Sequence, residues 1–203
     1  LRVQNAGASG NNTAVGYNAG GAVSTGLQNT LVGAFAGDAL TDSDFNVAYG
    51  YAALTKDTLG DRSTAIGYSA LFNQNFTTAS SSHNVAVGFE AGGSVTTGIQ
   101  NTLIGSQAGD SLTDADFNVA IGTDALAADT LGSRSVAIGR RTLHAQNFTT
   151  ATDNYNVAVG FEAGNDITTG QQNTFIGGVA GDEVTTTSNN VAVGYASLQA
   201  AAG

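Results

Sequence analysis

The chain has 203 residues, with sixteen acidic against six basic side chains and a formal net charge of −10. That balance excludes a nucleic-acid surface, which needs clustered Lys and Arg, and disfavours contact with an anionic membrane. Cys, Met, Pro and Trp are absent while Gly reaches 28. There is no disulfide or thiol chemistry, and a chain with no initiator Met reads as a processed product or a piece of a longer protein.

In chain order the sequence is one motif repeated. Asn12-Thr-Ala-Val-Gly16 returns as Asn84-Val-Ala-Val-Gly88 and as Asn156-Val-Ala-Val-Gly160, shifted by 72 residues each time. Shorter copies start at Asn29, Asn46, Ser63, Asn101, Asn118, Ser135, Asn173 and Asn190, so each 72-residue unit divides into coils of 17, 17, 17 and 21 residues. Units 12–83 and 84–155 are complete and 156–203 is partial. Repeats of this period predict a quasi-one-dimensional array, a single solenoid over 1–203, and not separate globular domains. Neighbouring domains are expected to cap its ends.

Within a coil, position one is Asn nine times and Ser twice, and position five is always Gly. Position eight is Ala nine times, and position nine runs Gly, Gly, Leu, Leu. Three apolar or β-branched residues ending at Gly predict a short strand. The Gly predicts a corner, through positive φ or through crowding between coils. Asn ahead of the strand suits a turn, and stacked coils would align these amides in a ladder about 4.8 Å apart. A second strand is expected over positions six to nine, as in Tyr17–Gly20. The fold class expected is therefore all-β, a parallel β-solenoid of eleven coils. Positions two to four are apolar on both faces, which predicts a strand covered on both sides and hence an interface with other copies of the chain.

Ser135-Val-Ala-Ile-Gly139 and Ser63-Thr-Ala-Ile-Gly67 resemble the head repeat of YadA-like trimeric autotransporter adhesins. Asn12-Thr-Ala-Val-Gly-Tyr-Asn-Ala19 is similar to repeats of phage tail-fibre-like adhesins. The resemblance covers the whole chain but departs in coil length, since the adhesin heads use about fourteen residues. It implies a left-handed β-roll, a homotrimer, and attachment of a fibre to a host surface receptor or glycan. The location it implies is extracellular, on a bacterial surface or a virion.

Candidate sites are few. The four extra residues of each long coil fall in loops at 73–83 and 145–155, whose Asn75, Phe76, His83, Asn147, Phe148 and Tyr155 are candidate binding residues. The alternative is an insertion whose phenylalanines fold back on the coil. The tail of a third such coil is read at Val3–Asn11. Asp38, Asp42 and Asp44 recur as Asp110, Asp114 and Asp116, either a Ca²⁺ turn or a solvated edge. The third copy breaks this pattern. Glu90 and Glu162 stand about 19 Å apart by strand spacing, beyond the roughly 5–9.5 Å of a glycosidase pair. His83 and His144 occupy different coil positions and make no metal set. Aromatic residues at position six (Tyr17, Tyr51, Tyr68, Phe89, Phe161 and Tyr195) fit core or inter-chain packing, or a carbohydrate face. No cofactor, no catalytic residue and no membrane contact are expected. An ice-binding or depolymerase solenoid is the competing reading.

Overall fold

The computed structural model describes residues 10–199. Of the expected third long-coil tail, residues 3–9 lie outside that range. Eleven three-residue strands, from Thr13–Val15 to Val191–Val193, form one parallel sheet in which each strand pairs with its equivalent in the next coil. Register is motif to motif: Thr13 faces Thr30, Ala86 faces Leu103, and Val136 faces Val157 across a 21-residue coil. The chain is thus a β-solenoid of about eleven turns, with no helix among the described residues.

Positions six to nine do not form the expected second strand. Tyr17–Gly20 and its equivalents are turns, because Asn18 and Gly20 both take φ of 56°, which bends an extended chain. The only other pairings among the described residues belong to the long coils, Gly60–Asp61 with Ser80–Ser81 and Gly132–Ser133 with Thr152–Asp153.

The asparagine ladder is real and more specific than side chain to side chain. The Oδ1 of Asn29 accepts the backbone N–H of Asn46 at 2.8 Å, and Asn29 Nδ2 donates to Ser43 O at 2.7 Å. Asn12, Asn101 and Asn156 likewise accept from Asn29, Asn118 and Asn173, and Asn84 accepts from Asn101. Most of these amides are fully buried, so each must be satisfied or cost about 1–3 kcal/mol. Ser63 and Ser135 are too short to continue the ladder. There the long coil supplies a splice: Gln146 Nε2 donates to Ser135 Oγ at 2.9 Å, and Gln146 Oε1 accepts from Asn156 Nδ2 at 2.9 Å. Gln74 repeats this between Ser63 and Asn84.

The middle residue of each strand points inward. Ala48, Leu103, Ala137 and Phe175 are fully buried, together with the position-eight alanines. Positions nine and twelve fill the remaining width reciprocally. Gly37 and Gly109 stand with Leu40 and Leu112 at position twelve, whereas Leu54 and Leu126 stand with the buried polar Asp57 and Asp129. A Cβ on Gly37 would lie 2.7 Å from Leu40 Cδ1, so Gly is required there. The leucines pay no such clash but adopt φ of 49–55°, at about 1–2 kcal/mol each. Burying each leucine returns about 1.5–3 kcal/mol, which is enough to hold it there.

Position five combines both readings of the corner glycine. Gly16, Gly88 and Gly160 have φ of 130°, 145° and 138°, and a Cβ on each would lie 2.3–2.5 Å from a carbonyl oxygen of the next coil. Gly105→Ala, in mid-stack, is expected to cost about 3 kcal/mol or more. Gly194→Ala meets nothing within 4 Å and should cost only the φ strain, about 1 kcal/mol. Urea titrations of the two variants check the difference. Gln146→Ala leaves Asp129, Ser135 and Asn156 each short of a partner, and is expected to lower stability by about 2–4 kcal/mol. A melting temperature within a degree or two of the parent would contradict the splice.

Candidate functional site

Three surface features meet around the sheet. The first is its outward face, made by positions two and four. Val15 and Tyr49 are each 58% exposed and Ile176 is 41% exposed, and no charged residue interrupts the two columns. The strand is therefore covered on its inner side alone within one chain. Flanking it on one side is the column at position seventeen, where Arg134 lies over Phe117 at 4.6 Å and over Tyr155 at 5.9 Å, and pairs with Asp153 at 3.0 Å. Arg62 lies over Phe45 at 5.1 Å one unit earlier.

The second feature is the aromatic row on the other flank. The position-six rings do not fill the gap beside the small position-eight alanines, as their spacing suggested. Those alanines are already buried in the coil, and Tyr51, Tyr68 and Phe89 stay half-exposed outside it. The rings stack on one another instead: Tyr51–Tyr68 and Tyr68–Phe89 centroids are 5.3 Å apart with planes 11° from parallel. Tyr17, Phe35 and Tyr51 extend the row edge-to-face. Beside this row, between coils three and six, opens a cleft of about 490 Å³ whose lining includes Tyr51, Tyr68, Phe72, Glu90, Gly93 and Asp110.

The third feature is the pair of loops. Phe76 and Phe148 are only 6% and 5% exposed and so are not presented to a partner. Their N–H groups donate to the buried carboxylates of Asp57 and Asp129, which pulls the loop onto the coil. Asn75 and Asn147 accept from Thr58 and Thr130 at 3.1 Å. His83 and Tyr155 are exposed in the position-seventeen column. The protruding residues are Thr77, Thr78 and Ala79, repeated as Thr149, Thr150 and Ala151, so the tips are identical between units. The loops therefore carry less individuality than their lengths suggested, and the cleft carries more.

The acidic edge is occupied in joining coils. Asp44 accepts the Leu27 N–H at 2.7 Å, Asp42 and Asp114 accept from Thr25 and Thr97 at 2.6 and 2.7 Å, and Asp116 accepts the Ile99 N–H at 2.7 Å. Among the described residues no three His, Asp or Glu side chains converge as a metal site.

Burial raises the carboxyls of Asp61, Asp110, Asp116, Asp129 and Asp182 above their ordinary value of 3.8. Neighbouring carboxylates add to the rise at Asp61, Asp110, Asp116 and Asp182. At Asp129 the hydrogen bonds from Phe148, Gln146 and Gly132 oppose the rise without cancelling it. A carboxyl raised on folding binds its proton more tightly in the folded chain. Its contribution to stability is therefore complete below the unfolded value and is lost as pH rises through the folded one. The melting temperature is expected to be higher at about pH 4.5 than at about pH 7.5, and a scan of thermal unfolding against pH checks the sign.

Compared with known families, curated proteins and solved structures, the chain matches none.

Proposed function

We propose that the chain is a segment of an extracellular attachment fibre that associates with copies of itself, as a homotrimer, along its apolar sheet face. The observation that carries this reading is the uncharged, uninterrupted outward face of the eleven-stranded sheet. Ten steps of about 4.8 Å make it about 48 Å long, and the span from position two to position six is about 13 Å. Each copy therefore offers roughly 600 Å², and a pair of copies roughly 1,200 Å², above the ~1,000 Å² expected of a specific interface. The flanking columns of Tyr, Phe and Arg have the composition favoured at such contacts.

A stack of this kind builds length and a repeating surface, and the reading involves no catalysis. The resemblance of the repeat to adhesin-head and tail-fibre repeats supports a bacterial surface or a virion as the location, and a host receptor or glycan as the target.

Light scattering on the purified chain should give about three times its 20.2 kDa mass. Replacing the outward-facing Ile66 and Ile104 with Lys should yield a monomer with the parent's β circular dichroism. A parent that remains monomeric at about 50 μM, where an interface of ordinary affinity is saturated, would overturn the self-association. Binding of the assembled form to a receptor and glycan array tests the attachment.

A further inference from the structure

The two complete units are near-copies in the residues that build the coils, and they differ sharply at one place. Seventy-two residues after the cleft, Tyr68, Ser69 and Phe72 are replaced by Arg140, Arg141 and His144, and Gly93 is replaced by Asn165. The two acids do not change: Glu90 and Asp110 become Glu162 and Asp182. In the second unit the chain supplies its own cation to this acidic position, with Arg140 3.5 Å from Glu162 and stacked over Phe161 at 5.6 Å. In the first unit no Lys or Arg lines the cleft, and Glu90 has only the Gln107 amide at 3.4 Å.

The first-unit cleft is also shaped. Phe72, Gly93 and Asp110 occupy the same coil position in three successive coils, kept in line by Asn73 N–H to Gly93 O and Ser94 N–H to Asp110 O. Gly93 leaves a notch between a ring and a carboxylate, two coil steps or about 9.6 Å apart. Lys56 Nζ covers the face of Phe72 turned toward the N-terminal coils, at 4.7 Å from the ring centroid. A nitrogen at that distance on the opposite face would stand about 5 Å short of the plane of Asp110. Cations bind aromatic faces within about 6 Å of the centroid, and the Glu90 and Asp110 carboxylates supply the complementary charge. Partial burial and the Glu90 charge hold the Asp110 carboxyl above its ordinary range, a state that a bound cation would relieve.

We propose that the cleft between Phe72 and Asp110 is a binding site for an organic ammonium group, held over the open face of Phe72 and against the Glu90 and Asp110 carboxylates. Such a group comes from a choline headgroup, a lysine side chain or an amino sugar. The site deepens the attachment half of the proposed function and rests on it. It lies within one chain, so it is read independently of self-association.

Isothermal titration of the intact chain with choline, lysine amide and glucosamine distinguishes the three sources. The neutral isostere 3,3-dimethylbutanol serves as the uncharged reference. At least one cation should bind with a millimolar or tighter Kd, at least tenfold better than the isostere. Gly93→Asn installs the residue that the second unit carries at the same place, and Asp110→Asn keeps the side-chain shape. Each should weaken binding about tenfold, while Asp182→Asn, at the equivalent position of the other unit, should leave it unchanged. No saturable binding of any of the three cations, equal binding of the isostere, or equal loss in all three variants would overturn the site. Failure here with an intact oligomer by light scattering removes the ammonium site alone. A monomeric chain that still binds removes the self-association alone.

Discussion

Everything in this fold depends on one coil lying in exact register on the next, and the buried asparagine column enforces that register. An asparagine Oδ1 that accepts a backbone N–H seventeen residues later is satisfied by one alignment only. A slip by a single residue would bury both an amide and a peptide group without partners, at about 1–3 kcal/mol each, and would turn the inward Ala and Leu of every strand outward. Backbone pairing is permissive about which strands meet. The amides are not.

The column also explains why the long coil looks as it does. Ser63 and Ser135 would interrupt the ladder, yet each stands in the coil that brings a glutamine back to the same level. The four additional residues therefore close a gap in the interior as well as adding outer surface. Asp57 and Asp129 are part of the same arrangement, each receiving a backbone N–H from the loop, another from its own turn, and the glutamine amide. This buried polar cluster sits where the other coils carry Val, Leu or Ile. The leucines at position nine make up the lost apolar volume, and accept a strained backbone to do so.

Much of the architecture is legible in the sequence because a period is a global constraint: a motif that returns at 17 residues with Gly invariant leaves few folds open. Strand bounds, corner glycines and the amide ladder all follow from it. The turn at positions six to nine is not legible. Its left-handed residues include Phe35, Glu90 and Leu71, and nothing in those side chains announces a positive φ. The fate of the loops was hidden for a related reason. Phe76 and Phe148 look exposed in a hydrophilic stretch until the buried aspartate that holds their backbone is placed beneath them. The aromatic cleft escaped the sequence because its walls come from four different coils. Its one signal was a departure from symmetry, the replacement of Tyr68 and Phe72 by Arg140 and His144 seventy-two residues on.

The reciprocal filling of positions nine and twelve has a consequence for how such a chain changes size. A coil with Leu at position nine fits beside neighbours chosen for it, and the glutamine splice binds the fourth coil to the first coil of the following unit. Deleting or duplicating one coil would set a leucine against a leucine, or leave a serine with no glutamine to bridge it. Growth by recombination is therefore quantised. Viable chains differ by whole blocks of 72 residues, or about 19 Å of fibre, and intermediate lengths are removed by the interior and not by selection on reach.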